Sequence, residues 1–66
     1  MMTVYVNNQR IELFNGATLK HALLKANELL YHDVRKRRAV IKDSEGNLTD
    51  LNGAVMNGWH YIVVYE

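Results

Sequence analysis

The sequence predicts an α+β domain, a four- to five-stranded mixed sheet packed on one main helix in the order ββαβ(β)β. Three observations predict it. Residues 3–14, TVYVNNQRIELF, alternate apolar and polar side chains on either side of an Asn-Asn pair, the period of two that marks half-buried strands. Residues 17–30, ATLKHALLKANELL, switch to helical spacing. Residues 59–66, WHYIVVYE, are almost continuously apolar, as a central strand covered on both faces or flanked by neighbours is.

The elements follow in order. Val4 and Val6 alternate with Thr3 and Tyr5, and Ile11 and Leu13 with Arg10 and Glu12, so the first twelve or so residues read as a hairpin. Its turn is Asn7-Asn8, because asparagine tolerates the positive φ that a two-residue type I′ turn needs at both central positions. Leu19, Ala22, Leu23, Ala26 and Leu30 form one apolar stripe. Thr18 is placed to cap the helix start through its hydroxyl, and Asn27 to end it near Ala26 in the left-handed conformation. Residues 28–36, ELLYHDVRK, fit either a further helical turn or an irregular crossing. RRAVIK is a short strand, DSEGN a turn, and LTDL a short strand or extended piece. Two Asn-Gly pairs at 52–53 and 57–58 then lead into the last strand. The whole chain, residues 1–66, is one domain with no internal repeat. The expected core is Val4, Val6, Ile11, Leu13, Leu19, Leu23, Ala26, Val40, Leu51, Ile62 and Val64.

Composition narrows the function. Sixty-six residues lie near the lower limit for a chain that folds alone, where only about 60% of the unfolded surface is buried and a partner or self-association helps. An apolar content of 48% argues against disorder. No apolar stretch approaches the roughly 18–20 residues that cross a membrane. MMTVYVNNQR lacks a charged segment followed by an apolar one, so no signal peptide is expected, and the simplest location is the cytoplasm. The absence of cysteine removes disulfides, a thiol nucleophile, a zinc ribbon and a thiolate-held iron–sulfur cluster. The net charge of +1 conceals a dipole. Arg35, Lys36, Arg37, Arg38 and Lys42 fall together with no acid among them, whereas residues 43–66 carry Asp43, Glu45, Asp50 and Glu66 with no Lys or Arg. Such a dipole suits docking on a charged surface or head-to-tail self-association.

Two stretches carry a resemblance. VYVNNQRIELFNGATLKHALLKAN is similar to the opening of small β-grasp (ubiquitin-like) proteins, and NLTDLNGAVMNGWHYIVV to their close. The resemblance covers nearly the whole chain. It implies a β-grasp fold in which the helix returns the chain by a right-handed crossover and the last strand lies parallel to the first. Within that superfamily the sulfur-carrier proteins of thiamin and molybdopterin biosynthesis, TGS domains and plant-type 2Fe–2S ferredoxin domains look like this chain. A carrier requires a C-terminal Gly-Gly where this sequence reads IVVYE. A ferredoxin requires four cysteines, three of them in the loop occupied here by LLYHDVRKRRAV. The TGS likeness implies an adaptor module with RNA or protein contacts.

The side chains themselves offer no catalytic constellation. His21, His32 and His60 are scattered without metal-ligand spacing. Ser44 sits between Asp43 and Glu45, which disfavours an alkoxide, and no nucleophile elbow or phosphate loop is present. The expectation is a protein that is not an enzyme and has no metal and no cofactor. Arg35, Lys36, Arg37, Arg38 and Lys42 have three readings: protection of a sheet edge, docking on an acidic protein surface, and contact with phosphate or RNA. Trp59, with Met56 and Tyr61, either caps the core or forms an apolar anchor for a partner. The expected function is therefore a non-catalytic protein-interaction module with a protein partner, or a homodimer, and no membrane. The alternative is a TGS-like RNA-binding module working through residues 35–42.

Overall fold

Strands β1 (Met2–Val6) and β2 (Gln9–Leu13) form the hairpin that the alternating pattern predicts. Asn7 and Asn8 make its turn at φ of 50° and 68°, the left-handed region that asparagine enters at low cost. This geometry comes from a computed structural model that describes residues Met1 to Tyr65. Glu66, which the sequence reading carries into the last strand, lies outside the described residues. Helices α1 (Leu19–Ala26) and α2 (Glu28–Arg35) follow, then β3 (Ala39–Asp43), β4 (Leu48–Thr49) and β5 (His60–Tyr65). The architecture is α+β, a five-stranded mixed sheet with two helices. The strands run β2-β1-β5-β3-β4 across it. Strand β5 lies in the middle, parallel to β1 and antiparallel to β3.

Helix α1 has the predicted bounds and Thr18 is its N-cap, as expected, while the C-terminal end differs from the reading. The Thr18 hydroxyl lies 3.2 Å from Nδ1 of His21. That same nitrogen accepts the Thr18 backbone N–H at 3.0 Å, so His21 takes the place glutamate usually holds in a capping box. The N–H groups of Leu19 and Lys20 donate to the carbonyls of Gly53 and Leu51, so the loop before β5 completes the helix start. Asn27 is not left-handed. Its φ is −171° and it caps α2, its side chain accepting the Leu29 N–H at 2.9 Å. Asn followed by Glu28 is a start signal as much as a stop signal, and here the chain begins a second helix, so one main helix becomes two.

Both helices cover the same face of the sheet. Val4, Val6, Ile11, Leu13, Ala17, Leu19, Ala22, Leu23, Tyr31, Ala39, Ile41, Val55, Tyr61 and Val63 form the core, with Ala26 and Leu51 half-buried against it. Three expected core residues are elsewhere. Val40 is half-buried on the opposite face, Ile62 is 51% exposed and Val64 37%. The row is displaced by one residue in β3 and β5 together. The cause is register: Val6, committed to the core, pairs with Tyr61, Ile41 pairs with Val63 and Val40 with Val64. A slip of one residue exchanges every side chain between the faces.

Candidate functional site

The turn from α2 to β3 carries the basic residues. Arg35 is the last residue of α2, Lys36 its C-cap, and Arg37 and Arg38 lead to β3. Lys36 N–H bonds to His32, Arg37 N–H to the Val34 carbonyl at 3.1 Å, and Arg38 N–H to that of Asp33 at 2.9 Å. The last two bonds are those of a Schellman motif, which places the residue after the cap in the left-handed region, usually as glycine. Arg37 occupies it at φ 63°. The strand expected over RRAVIK begins only at Ala39, so Arg35 to Arg38 occupy the helix end and the turn after it, and of the five cations only Lys42 lies in a strand. All four turn cations are exposed.

Charge neutralisation inside the molecule is sparse. Among the described residues the one ion pair is Arg10 with Glu12 at 3.2 Å. Arg35 donates to the Tyr31 hydroxyl at 3.3 Å, and Asp33 accepts the Tyr65 hydroxyl at 2.7 Å. That bond to a carboxylate holds the Tyr65 proton and raises its pKa above the ordinary phenol value. Lys25 stands at the far edge of the sheet, its Nζ donating to the Glu12 carbonyl at 2.7 Å. It therefore does not join the basic turn.

Beside that turn lies an open groove of about 580 Å³. It is bounded by Arg35 and Arg37 at the end of α2 and by the segment from Leu48 to Asn52, with Val34 and Leu51 half-buried in its lining. Lys36 and Arg38 are not among its lining residues. Segment 48–52 is shaped by Asp50, whose Oδ1 accepts the Asn52 N–H at 3.0 Å, an Asx turn. Thr49 also lines the groove, and its Oγ1 is buried with no hydrogen-bond partner among the described residues.

Val40 and Leu48, which edge this groove, belong also to the uncovered face of the sheet. Cross-strand pairing sets Lys42 between Ile62 and Leu48, and Val40 opposite Val64. Leu48 is 68% exposed. Further along the face Tyr5 stacks on His60 with ring centroids 4.4 Å apart. An aliphatic strip with one cation in it thus runs across the middle of the sheet to the groove. Sequence reading missed this surface, because it assigned Ile62, Val64 and Val40 to the core.

The expected aromatic anchor separates into parts. Met56 and Trp59 are exposed, whereas Tyr61 is 2% exposed and is not available to a partner: its register opposite Val6 turns it inward. The Tyr61 and Trp59 rings stay close, 6.4 Å apart. Burial raises the Tyr61 pKa. The acidic turn is also occupied locally, with Asp43 Oδ1 accepting from the N–H groups of Glu45 and Asn47. No group of three His, Asp or Glu side chains among the described residues is placed to hold a metal. No helix there is long and apolar enough to cross a membrane.

No protein-family model matches this sequence, and no curated protein matches it at a significant level.

Proposed function

We propose that this chain is a non-catalytic, cytoplasmic β-grasp domain that docks a protein partner through the uncovered face of its sheet. The β-grasp reading draws on the sheet order, with the last strand central and parallel to the first; helix α2 is an addition to the one-helix plan. The docking reading rests on one observation, the exposed strip of Leu48, Ile62 and Val64 beside Val40. Contiguous apolar surface of this kind, rimmed by polar groups, is characteristic of interaction sites. A second copy of the chain is one candidate partner, since a domain of this size gains from association.

The RNA reading draws on the four cations of the α2–β3 turn. It leaves the aliphatic strip without a role, since phosphate contact is made by cations.

Affinity capture from native lysate, with and without nuclease, tests the proposal. The baits are the parent chain, an Ile62→Asp, Leu48→Asp variant and an Arg35→Glu, Arg37→Glu, Arg38→Glu variant, each first shown to be folded by circular dichroism. A defined protein that survives nuclease, is lost with the Ile62/Leu48 bait and rebinds when purified supports docking. If nuclease removes everything captured, RNA binding replaces it. If the Ile62/Leu48 bait captures the same set as the parent, the open face is not the docking surface.

A further inference from the structure

We infer that the groove between α2 and β4 receives an acidic, aliphatic peptide segment: a partner's carboxylate side chain held by Arg35 and Arg37, with a neighbouring branched aliphatic side chain on the floor. The inference rests on the docking reading and gives the partner a chemistry.

Four features converge on it. First, two guanidinium-bearing residues line one wall, and neither is ion-paired with a described residue. Arginine presents a planar fork of donors that matches a carboxylate, and such charge-assisted bonds are about twice as strong as neutral ones. Second, Arg37 stands where a Schellman motif favours glycine. A bulky residue in a left-handed position is kept at a cost in stability, and such outliers concentrate at sites of function. Third, Thr49 Oγ1 is buried and unbonded at the groove, a state that costs about 1–3 kcal/mol. Fourth, the half-buried Val34 and Leu51 give the groove an apolar floor, backed by the fully buried Ile41. The groove continues past Val40 and Leu48 onto the open face, so one partner covers both.

The same inventory separates a peptide from a phosphate. Asp50 lines the groove together with the arginines. It repels any anion, a phosphate dianion about twice as strongly as a single carboxylate, and a phosphate or phosphodiester leaves the apolar floor uncovered. A single carboxylate beside an aliphatic side chain meets the two arginines and fills the floor.

The experiment is a titration of the full chain, labelled with ¹⁵N, against a capped hexapeptide of alternating leucine and glutamate. Two control peptides replace every Glu by Gln, or every Leu by Ser. Inorganic phosphate and a short polyuridylate are titrated separately. The expected result is amide shifts confined to residues 34–41 and 48–52, with at least tenfold weaker binding for each control peptide. The Arg35→Gln, Arg37→Gln chain, its spectrum otherwise unchanged, loses at least tenfold as well. The inference fails if the Gln peptide binds as tightly as the Glu peptide. It fails equally if phosphate or polyuridylate produces the same shifts at lower concentration, or if the Leu–Glu peptide leaves the groove amides in place. Should the shifts fall on Ile62 and Val64 instead, the groove assignment is overturned while docking through the open face stands. Should dilution of the chain alone reproduce the groove shifts, the occupant is a second copy and not a foreign peptide.

Discussion

Arg37 shows at a single residue how stability and surface chemistry pull apart. Its φ of 63° puts Cβ near the following carbonyl, a strain of about 1–2 kcal/mol for a residue with a side chain, partly offset by the greater freedom of glycine in the unfolded chain. Arg37→Gly is expected to stabilise the domain by up to about 1 kcal/mol in urea unfolding while weakening any anion held in the groove. A loss of stability in that variant would show that the side chain contributes packing that outweighs its backbone. His21 gives a second prediction at this scale. Its ring accepts the Thr18 N–H, so His21→Ala should cost about 0.5–1 kcal/mol, and His21→Gln, whose side-chain carbonyl reaches the same N–H, should restore most of it. Equal stability for the Ala and Gln variants in thermal melts would leave the cap without energetic weight. Tyr61 and Tyr65 set the alkaline limit. Both phenols have pKa values raised by the fold, Tyr61 chiefly by burial and Tyr65 chiefly by its bond to Asp33. The unfolded chain then releases these protons first, so the stability they carry is complete below about pH 10 and falls as pH rises through the folded values. Tyr65→Phe should flatten that decline; unfolding midpoints between pH 8 and 11.5 measure it.

Among the elements, the first hairpin was the most legible and its turn the most informative. Asn-Asn between two alternating strands requires positive φ twice, and both values are present. Asparagine at the two positions does different work, however. The Asn7 side chain accepts the Val63 N–H at 2.9 Å and its backbone N–H donates to the Tyr61 carbonyl, tying the hairpin to β5. Asn8 has no such bond. Asn8→Gly should therefore stabilise by a few tenths of a kcal/mol, as Asn-Gly is the favoured type I′ pair, whereas Asn7→Gly should destabilise by about 1 kcal/mol through the lost bond to β5. Paired chemical denaturation of the two variants decides it, and a shift of the same sign in both would contradict the division of labour. Helix α2 was the least legible element. Its apolar residues Leu30, Tyr31 and Val34 pack against α1 and β3, but Asn27 supports a helix end and a helix start equally, and only the bond to Leu29 resolves which.

At the scale of the whole molecule the open face is the consequential feature. Five strands with helices on one side only leave β5 half-covered: of the two arrangements its apolar run allows, it is flanked by neighbours and not covered on both faces. The sheet therefore holds Tyr61 and Val63 inside and leaves Ile62 and Val64 outside. Val63→Ala should cost about 2 kcal/mol and Val64→Ala less than about 1 kcal/mol for the same atoms removed. Urea unfolding of the pair reads the difference, and equal losses would mean that the exposed face is covered in solution. For a domain this small, a loss of 2 kcal/mol is a large share of its total stability. The β2 edge of the sheet is blunted by the Arg10–Glu12 pair and by Lys25 on its backbone.

What the sequence by itself determined was local. Periods of two and 3.6 placed the hairpin, the bounds of α1 and the central last strand, because those patterns report only which residues share a side. The cluster of basic residues and the presence of Trp59 and Met56 were equally visible, since residue types need no partner to be counted, but their place in a turn and their exposure were not. Tertiary structure alone decided which side of β3 and β5 faces the helices. A strand with apolar residues in both rows has no preferred face until it is paired, and here Val6 opposite Tyr61 made the choice. The groove follows from the same pairing, because β4 ends at Thr49 and the end of α2 comes to rest across from it. Arg35, Arg37, Thr49 and Asp50 meet there although as many as 15 positions separate them, and no periodicity in the chain encodes a contact between segments that different elements carry.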